Sequence, residues 1–271
     1  MVVAIAVWSL GVRVRAIMAR LGIGACLTGL CFPVVAEAAA VSPYTINVDP
    51  SYFGGKFGTS NTVQVYEIPL AVEYHGTRLR LRVEIPYVAV SGAGLISGGA
   101  VIQTNGRSVW RTGLGDIWAG ADYRVLDESG FQPSVRPSVK FKIPTASRAK
   151  GLGTGQPDIE FGSHFEWNIY GKLLPYARIG YRAVGRAPGL KLQNTLTYEA
   201  GVSVVLPHQQ YATAMFLDGG TIQRGTGPAE ELIAAYTVQI GAKLEFQTYL
   251  ARGLTSNSPE LGGGLGITER F

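Results

Sequence analysis

Residues 77–90 read TRLRLRVEIPYVAV. Leu79, Leu81, Val83, Ile85, Tyr87 and Ala89 share one parity, and Arg78, Arg80, Arg82 and Glu84 share the other. An extended strand places these two sets on opposite faces, whereas a helix, turning every 3.6 residues, would mix them. A soluble sheet can alternate in the same way, so the recurrence of the pattern along the chain decides the architecture.

It recurs to the last residue. Strands are expected at 51–57, 62–74, 77–89, 113–126, 134–144, 158–167, 174–183, 193–206, 210–218, 232–244, 246–253 and 261–271, an even count of twelve. At 134–144, Val139, Phe141 and Ile143 oppose Arg136, Ser138, Lys140 and Lys142. At 158–167, Ile159, Phe161, Phe165 and Trp167 oppose Asp158, Glu160, His164 and Glu166. From 174 onward the alternation weakens. His75-Gly76 is a tight turn, and residues 90–112, with five glycines and little periodicity, read as a long loop at the opposite end. Pro69, Pro86, Pro137, Pro144 and Pro175 fall inside these runs. Proline cannot donate to a ladder, so bulges or strand ends are expected there.

The N-terminal segment has a different character. Arg13, Arg15 and Arg20 precede an apolar run over 21–35 and then Ala36-Glu37-Ala38-Ala39-Ala40, the order of charge, apolar core and small residues that marks an export signal. Residues 1–40 are expected to be removed, with the mature start between Ala39 and Val41 and translation beginning at Met1 or Met18. Cys26 and Cys31 leave with that segment, so no disulfide or thiolate metal site is available. Of 24 Lys and Arg and 19 Asp and Glu, the segment removes three and one, leaving 21 against 18 and a formal charge of +3. That excess is too mild for nucleic-acid binding. The 36 glycines suit a chain of many turns and closely packed strands. Export, alternation and the absence of any apolar 20-residue run in 41–271 define an expected closed antiparallel transmembrane β-barrel of the outer membrane.

The ends of the expected strands carry aromatics. Tyr74, Tyr123, Trp167 and Phe271 fall toward the short turns, and Tyr87, Tyr181, Tyr198 and Tyr236 toward the loops, as two interfacial girdles would require. Leu265, Ile267 and Phe271 share a parity in GLGITERF. A final strand ending in Phe271 resembles the signal read by the outer-membrane assembly machinery. Glu269 departs from it.

The segments IPYVAVSGAG, TGLGDIWAGADYRV, KFKIPTASRAKGLGTGQPDIEFG and ARGLTSNSPELGGGLGITERF resemble the outer-membrane "transporter" family also described as meta-pathway phenol-degradation proteins. The most specific part runs from Pro144-Thr145 through Gly151, Gly153 and Gly155 to Asp158. The resemblance covers most of 60–271 and implies a barrel that moves small, often aromatic, molecules across the outer membrane.

The inward parity carries Arg78, Arg80, Arg82 and Glu84, then Asp116, Trp118 and Asp122, then Arg136, Lys140 and Lys142, then Asp158 and Glu160, then Arg178 and Arg182. Acidic and basic strands alternate. Cross-strand pairs contribute about 0.2 to 1 kcal/mol each, so the ladder braces the wall, and it also defines a lumenal selectivity zone. Trp118 among these charges suits stacking on an aromatic cargo or filling of the lumen. Inward bases slightly outnumber inward acids on these strands, and Arg107, Arg111, Arg148 and Lys150 lie on the loops, so a mild anion preference is expected. Arg148 and Lys150 also suit lipopolysaccharide phosphates.

Other chemistries find less support. The glycines at 151–155 open no helix and lack the spacing of a phosphate-binding loop. His75, His164 and His208 have no metal-ligand spacing, and no cofactor is expected. Ser138, His164 and Glu166 supply the types of a hydrolytic triad, but such lipid hydrolases present it on the lipid face, and these three point inward. The expected function is therefore a narrow, non-enzymatic outer-membrane channel. A structural barrel or surface-interaction protein is the alternative, and a lipid hydrolase comes third.

Overall fold

The computed structural model describes residues 42–92, 94–97, 100–102 and 109–271. The expected export segment and Arg107 lie outside the described residues. Fourteen hydrogen-bonded segments form one sheet, and two pairs of them are halves of single broken strands, so the wall has twelve strands. They are β1 (Tyr44–Val48 and Ser51–Gly55), β2 (Val63–His75), β3 (Leu79–Ser91), β4 (Arg111–Leu114 and Ile117–Tyr123), β5 (Ser134–Ile143) and β6 (Asp158–Glu166). The second half is β7 (Leu173–Ala183), β8 (Thr195–Leu206), β9 (Gln210–Asp218), β10 (Glu230–Ile240), β11 (Leu244–Gly253) and β12 (Leu261–Arg270). Each pairs antiparallel with its chain neighbour, and β1 closes the wall by pairing β12, from Thr45↔Arg270 to Ser51↔Gly264. Closure leaves the sheet no edge, which any strand-built span of a membrane requires.

Several boundaries differ from the sequence expectation, among them the end of β10, at Ile240 rather than 244, and the end of β4, at Tyr123 rather than 126. β1 starts at Tyr44, seven residues ahead of the expected 51, and β4 starts at Arg111 and breaks at residues 115–116. The long loop between β3 and β4 also holds a small hairpin of Leu95–Ser97 with Ala100–Ile102.

Prolines account for both breaks. Pro69 of β2 lies opposite Pro86 of β3, a pairing neither residue disturbs if their nitrogens face away from each other. Those nitrogens then face β1 and β4 with no proton to donate. β1 breaks beside Pro69, where the Asp49 amide donates to the Pro69 carbonyl at 3.4 Å. β4 breaks beside Pro86, where the Gly115 amide donates to the Pro86 carbonyl at 2.8 Å. Only glycine fits at 115, because an added Cβ would stand 2.9 Å from Pro86 Cγ. Pro175 lies beyond the paired part of β6, whose Trp167 amide caps its carbonyl at 3.0 Å.

Burial is inverted relative to a soluble sheet. Leu81 and Val83 are 43% and 44% exposed, while the Lys142 and Glu160 side chains of neighbouring strands are 0% and 2% exposed. The outer face is an apolar belt of Ile, Leu, Val and Phe, and the charges turn into the lumen, the arrangement a lipid-spanning barrel demands. Aromatics gather at both rims. Tyr44 and Tyr74 pack at 5.5 Å at the turn end, beside Phe271, whose amide bonds the Tyr44 carbonyl. Tyr52, Tyr66 and Trp110 pack in series as tilted rings, with centroids 4.9 and 5.9 Å apart, at the loop end. Tyr236 belongs to the turn side rather than the loop side, since its hydroxyl donates to Gln210 at the turn-end start of β9.

Candidate lumenal site

Registers set the charged wall. Arg80 of β3 lies opposite Asp122 of β4 and grips it with Nε at 2.9 and 3.0 Å from the two carboxylate oxygens. Asp122 also receives Arg136 at 3.3 Å, and Arg136 reaches Glu166 at 4.0 Å. Arg82 bridges Glu73 at 3.2 Å and Glu84, and His75 approaches Glu73 at 2.9 Å. Across the lumen wall, Glu160 takes both Arg178 and Arg182, the latter at 2.9 Å. Because both arginines engage Glu160, Lys140, the residue opposite it on β5, has no ion pair among the described residues.

Lys140 lines a lumenal cavity of about 80 Å³ with Arg80, Arg82, Trp118, Asp122 and His164. Trp118 is 6% exposed, and Arg182 covers one face of its ring, 5.3 Å from the centroid. A cargo would therefore meet the other face or the ring edge. Arg78 does not join the wall. The chain is still turning at 77–78, and its guanidinium donates to the Arg124 carbonyl and to Asp127 at 3.0 and 3.1 Å on the turn-end rim.

At the loop end, Lys142 stands between Asp158 at 2.9 Å and Asp116 at 3.7 Å, all three side chains nearly free of solvent. The two carboxylates also hold backbone. Ala146 N donates to Asp116 and Gly185 N to Asp158, at 3.0 and 2.9 Å. Leu152 and Ala146 pack against Val88 and Val90, so the loop 144–157 folds into the mouth instead of standing clear of it. The glycines there serve this fold: Gly153 passes so close that a Cβ would meet Ala146 Cβ at 2.6 Å.

The opposite wall, from the turn end of β7 round to β1, is different. Tyr176, Tyr211, Met215, Ile233, Tyr249 and Phe53 face inward and are buried, with Ser203 and Thr213 bonded to each other at 2.9 Å and Tyr176 donating to Met215 sulfur at 2.7 Å. Asp49, Glu67, Glu73, Glu231 and Glu245 are also buried on the inward parity. With these five, inward acids outnumber inward bases, the reverse of the count over the strongly alternating strands alone.

The hydrolytic alternative gains nothing from the registers. Ser138 lies opposite Gly162, whereas His164 lies between Arg136 and Arg178.

A closed antiparallel wall of twelve strands, apolar outside and charged within, is the fold of an outer-membrane β-barrel. Solved structures of the same architecture match it. An outer membrane channel from Pseudomonas putida F1 is 16% identical with a TM-score of 0.65 over 89% of this chain and 100% of that one. The translocator domain of the autotransporter NalP from Neisseria meningitidis is 14% identical with a TM-score of 0.53 over 99% of this chain and 97% of that one. No protein-family model and no curated protein matches the sequence.

Proposed function

We propose that this chain is an outer-membrane channel for small aromatic molecules. The observation that carries this reading is the division of the lumen: one wall is a paired charge ladder, and the other presents Phe53, Tyr176, Tyr211, Met215, Ile233 and Tyr249 to the interior. A channel for ions alone has no use for that second wall. Aromatic and thioether side chains give an aromatic solute a low-cost contact along its path, while the ladder keeps the passage wet and upright. The resemblance of the sequence to the phenol-degradation "transporter" family supports the same cargo class.

In this reading the protein is exported, the assembly machinery recognises the strand ending in Phe271, and the outer face meets lipid. Arg148 and Lys150 meet lipopolysaccharide phosphates. The role is transport and no bond is made or broken. Twelve strands enclose a lumen narrower than that of sixteen-stranded porins, so unitary currents are small, and the inward acids make them favour cations.

Reconstitution in a planar bilayer under a potassium chloride gradient tests this. Small unitary currents with a cation-selective reversal potential are expected, with brief interruptions when benzyl alcohol is added. Absence of current, together with unchanged uptake of small aromatics in a deletion strain, would leave a structural barrel.

A further inference from the structure

We infer that Lys140 and Trp118 form a subsite for the carboxylate of a small aromatic acid, within the lumenal cavity that both residues line. This rests on the channel reading above and narrows its cargo.

The registers bring the two side chains together. Lys140 of β5 lies opposite Gly120 of β4, and Trp118 lies opposite Lys142, so Trp118 and Lys140 are diagonal neighbours on one inward face. Diagonal positions on adjacent strands are within reach of aromatic and long side chains. Gly120 puts no side chain between them, and Gly162 puts none opposite Ser138. What remains is a recess of about 80 Å³ in a wall otherwise filled by long charged groups, room for several waters or for one small anionic group. Lys140 is half-buried, so a solute in the lumen can reach it.

The cavity is short of acceptors. Its three carboxylates are engaged by arginines: Asp122 by Arg80 and Arg136, Glu73 and Glu84 by Arg82. The indole Nε1–H of Trp118 is buried and has no acceptor among the described residues. Lys140 has no ion pair among them, because Arg178 and Arg182 hold the Glu160 opposite it. Three arginines, Arg82, Arg178 and Arg182, act electrostatically on Lys140 against one acid, Glu199. Buried polar groups are nearly always paired, so two donors left over beside one cavity call for an anion with two acceptor oxygens.

A carboxylate supplies them, one oxygen to each donor, in charge-assisted hydrogen bonds. An alcohol or phenol can accept too, but brings no charge for the ammonium group. Arg182 covers one face of the indole, 5.3 Å from its centroid, so the carboxylate approaches along the ring edge, where Nε1 lies. The ring of the acid then extends into the lumen, toward the apolar wall. The site is local, since the lumen as a whole carries more acid than base.

The test uses the whole folded protein in a planar bilayer at neutral pH and fixed ionic strength, with sodium benzoate, benzyl alcohol and inorganic phosphate as probes. The readout is the concentration at which each interrupts single-channel current, and a rise of the thermal unfolding midpoint in detergent is a second one. Benzoate should act at concentrations at least about tenfold below benzyl alcohol, which keeps the ring and lacks the charge, and below phosphate, which keeps the charge and lacks the ring. Lys140→Met should erase that advantage. Trp118→Phe, which keeps a ring and removes the donor, should reduce it, and this variant carries the test if Lys140→Met does not fold. Benzoate acting no better than benzyl alcohol, or an advantage unchanged in either variant, would overturn the subsite. Phosphate acting as well as benzoate would overturn its assignment to an aromatic acid. In any of these events interruptions by benzyl alcohol would still support the channel, whereas loss of all current would remove the channel itself.

Discussion

Lys142→Met tests whether the charge cluster at the loop end holds the mouth in shape. Methionine nearly matches the length of the lysine stem, so the substitution removes charge with little change in volume. What remains is Asp158 and Asp116, previously 2.9 and 3.7 Å from the lysine nitrogen, with side-chain exposures of 1% and 2%. Removing one partner from a buried ion pair costs about 3 to 5 kcal/mol, because the surviving charge stays desolvated. The damage should be local. Asp116 and Asp158 hold the Ala146 and Gly185 amides, so relief comes from releasing the loop 144–157 into solvent, where the carboxylates rehydrate. If trypsin acts on the opened loop, a loss of that size raises cleavage after Arg148 or Lys150 by roughly a hundredfold or more, at about 1.4 kcal/mol per factor of ten. Limited proteolysis of the refolded barrel, with cut sites read by mass spectrometry, measures this. Adding Asp116→Asn and Asp158→Asn to Lys142→Met should recover much of the protection. Parental cleavage rates in Lys142→Met would refute the claim that this cluster fastens the loop.

Two further expectations concern the wall and its end. Arginine in place of Val83 or Phe141 should cost about 2 to 4 kcal/mol on the lipid face. Arg80→Ala, by contrast, leaves Asp122 with Arg136 at 3.3 Å and should fold, as judged by faster migration of unheated samples on gels. Equal failure of both kinds of variant would contradict the assigned faces. If Phe271 is the proposed assembly signal, Phe271→Ala should slow assembly in cells, followed by pulse-chase, yet refold in detergent at the parental rate, because the variant leaves the wall itself intact.

The strands most legible in the sequence are those with the sharpest contrast between faces. In β3 and β5 arginine and lysine alternate with leucine, valine and phenylalanine, and a period of two can be read directly. Boundaries failed where proline acts through a neighbour. Pro69 and Pro86 disturb β1 and β4, not the strands that contain them, because the missing proton is one that the adjacent strand would have accepted. A single strand viewed alone carries no sign of this. Only the register, which sets Pro69 against Pro86, turns two oddities into one transverse line of breaks through Asp49 and Gly115.

The lumen was half legible for a related reason. Its charged residues stand out in sequence, but their pairing does not: Glu160 engages two arginines of β7 and leaves Lys140 over, a matter of register and reach. From β7 onward the alternation fades because both faces are apolar or nearly so: Ile233 and Ala235 face in while Leu232, Ala234 and Tyr236 face out. Periodicity measures contrast, so a strand with an apolar interior face is quiet in sequence even when perfectly ordered. That quietness carries information in a membrane barrel. Lipid explains an apolar outer face, but water in the lumen disfavours an apolar inner one. Strands that keep one are either packing against protein, as Val88 does against Leu152, or facing something apolar that passes. Tyr176, Met215, Ile233 and Tyr249 share one buried cluster with Val88 and Leu152, so the first explanation already applies to them, and the proposed transport of aromatics adds a use for the same inward apolar wall.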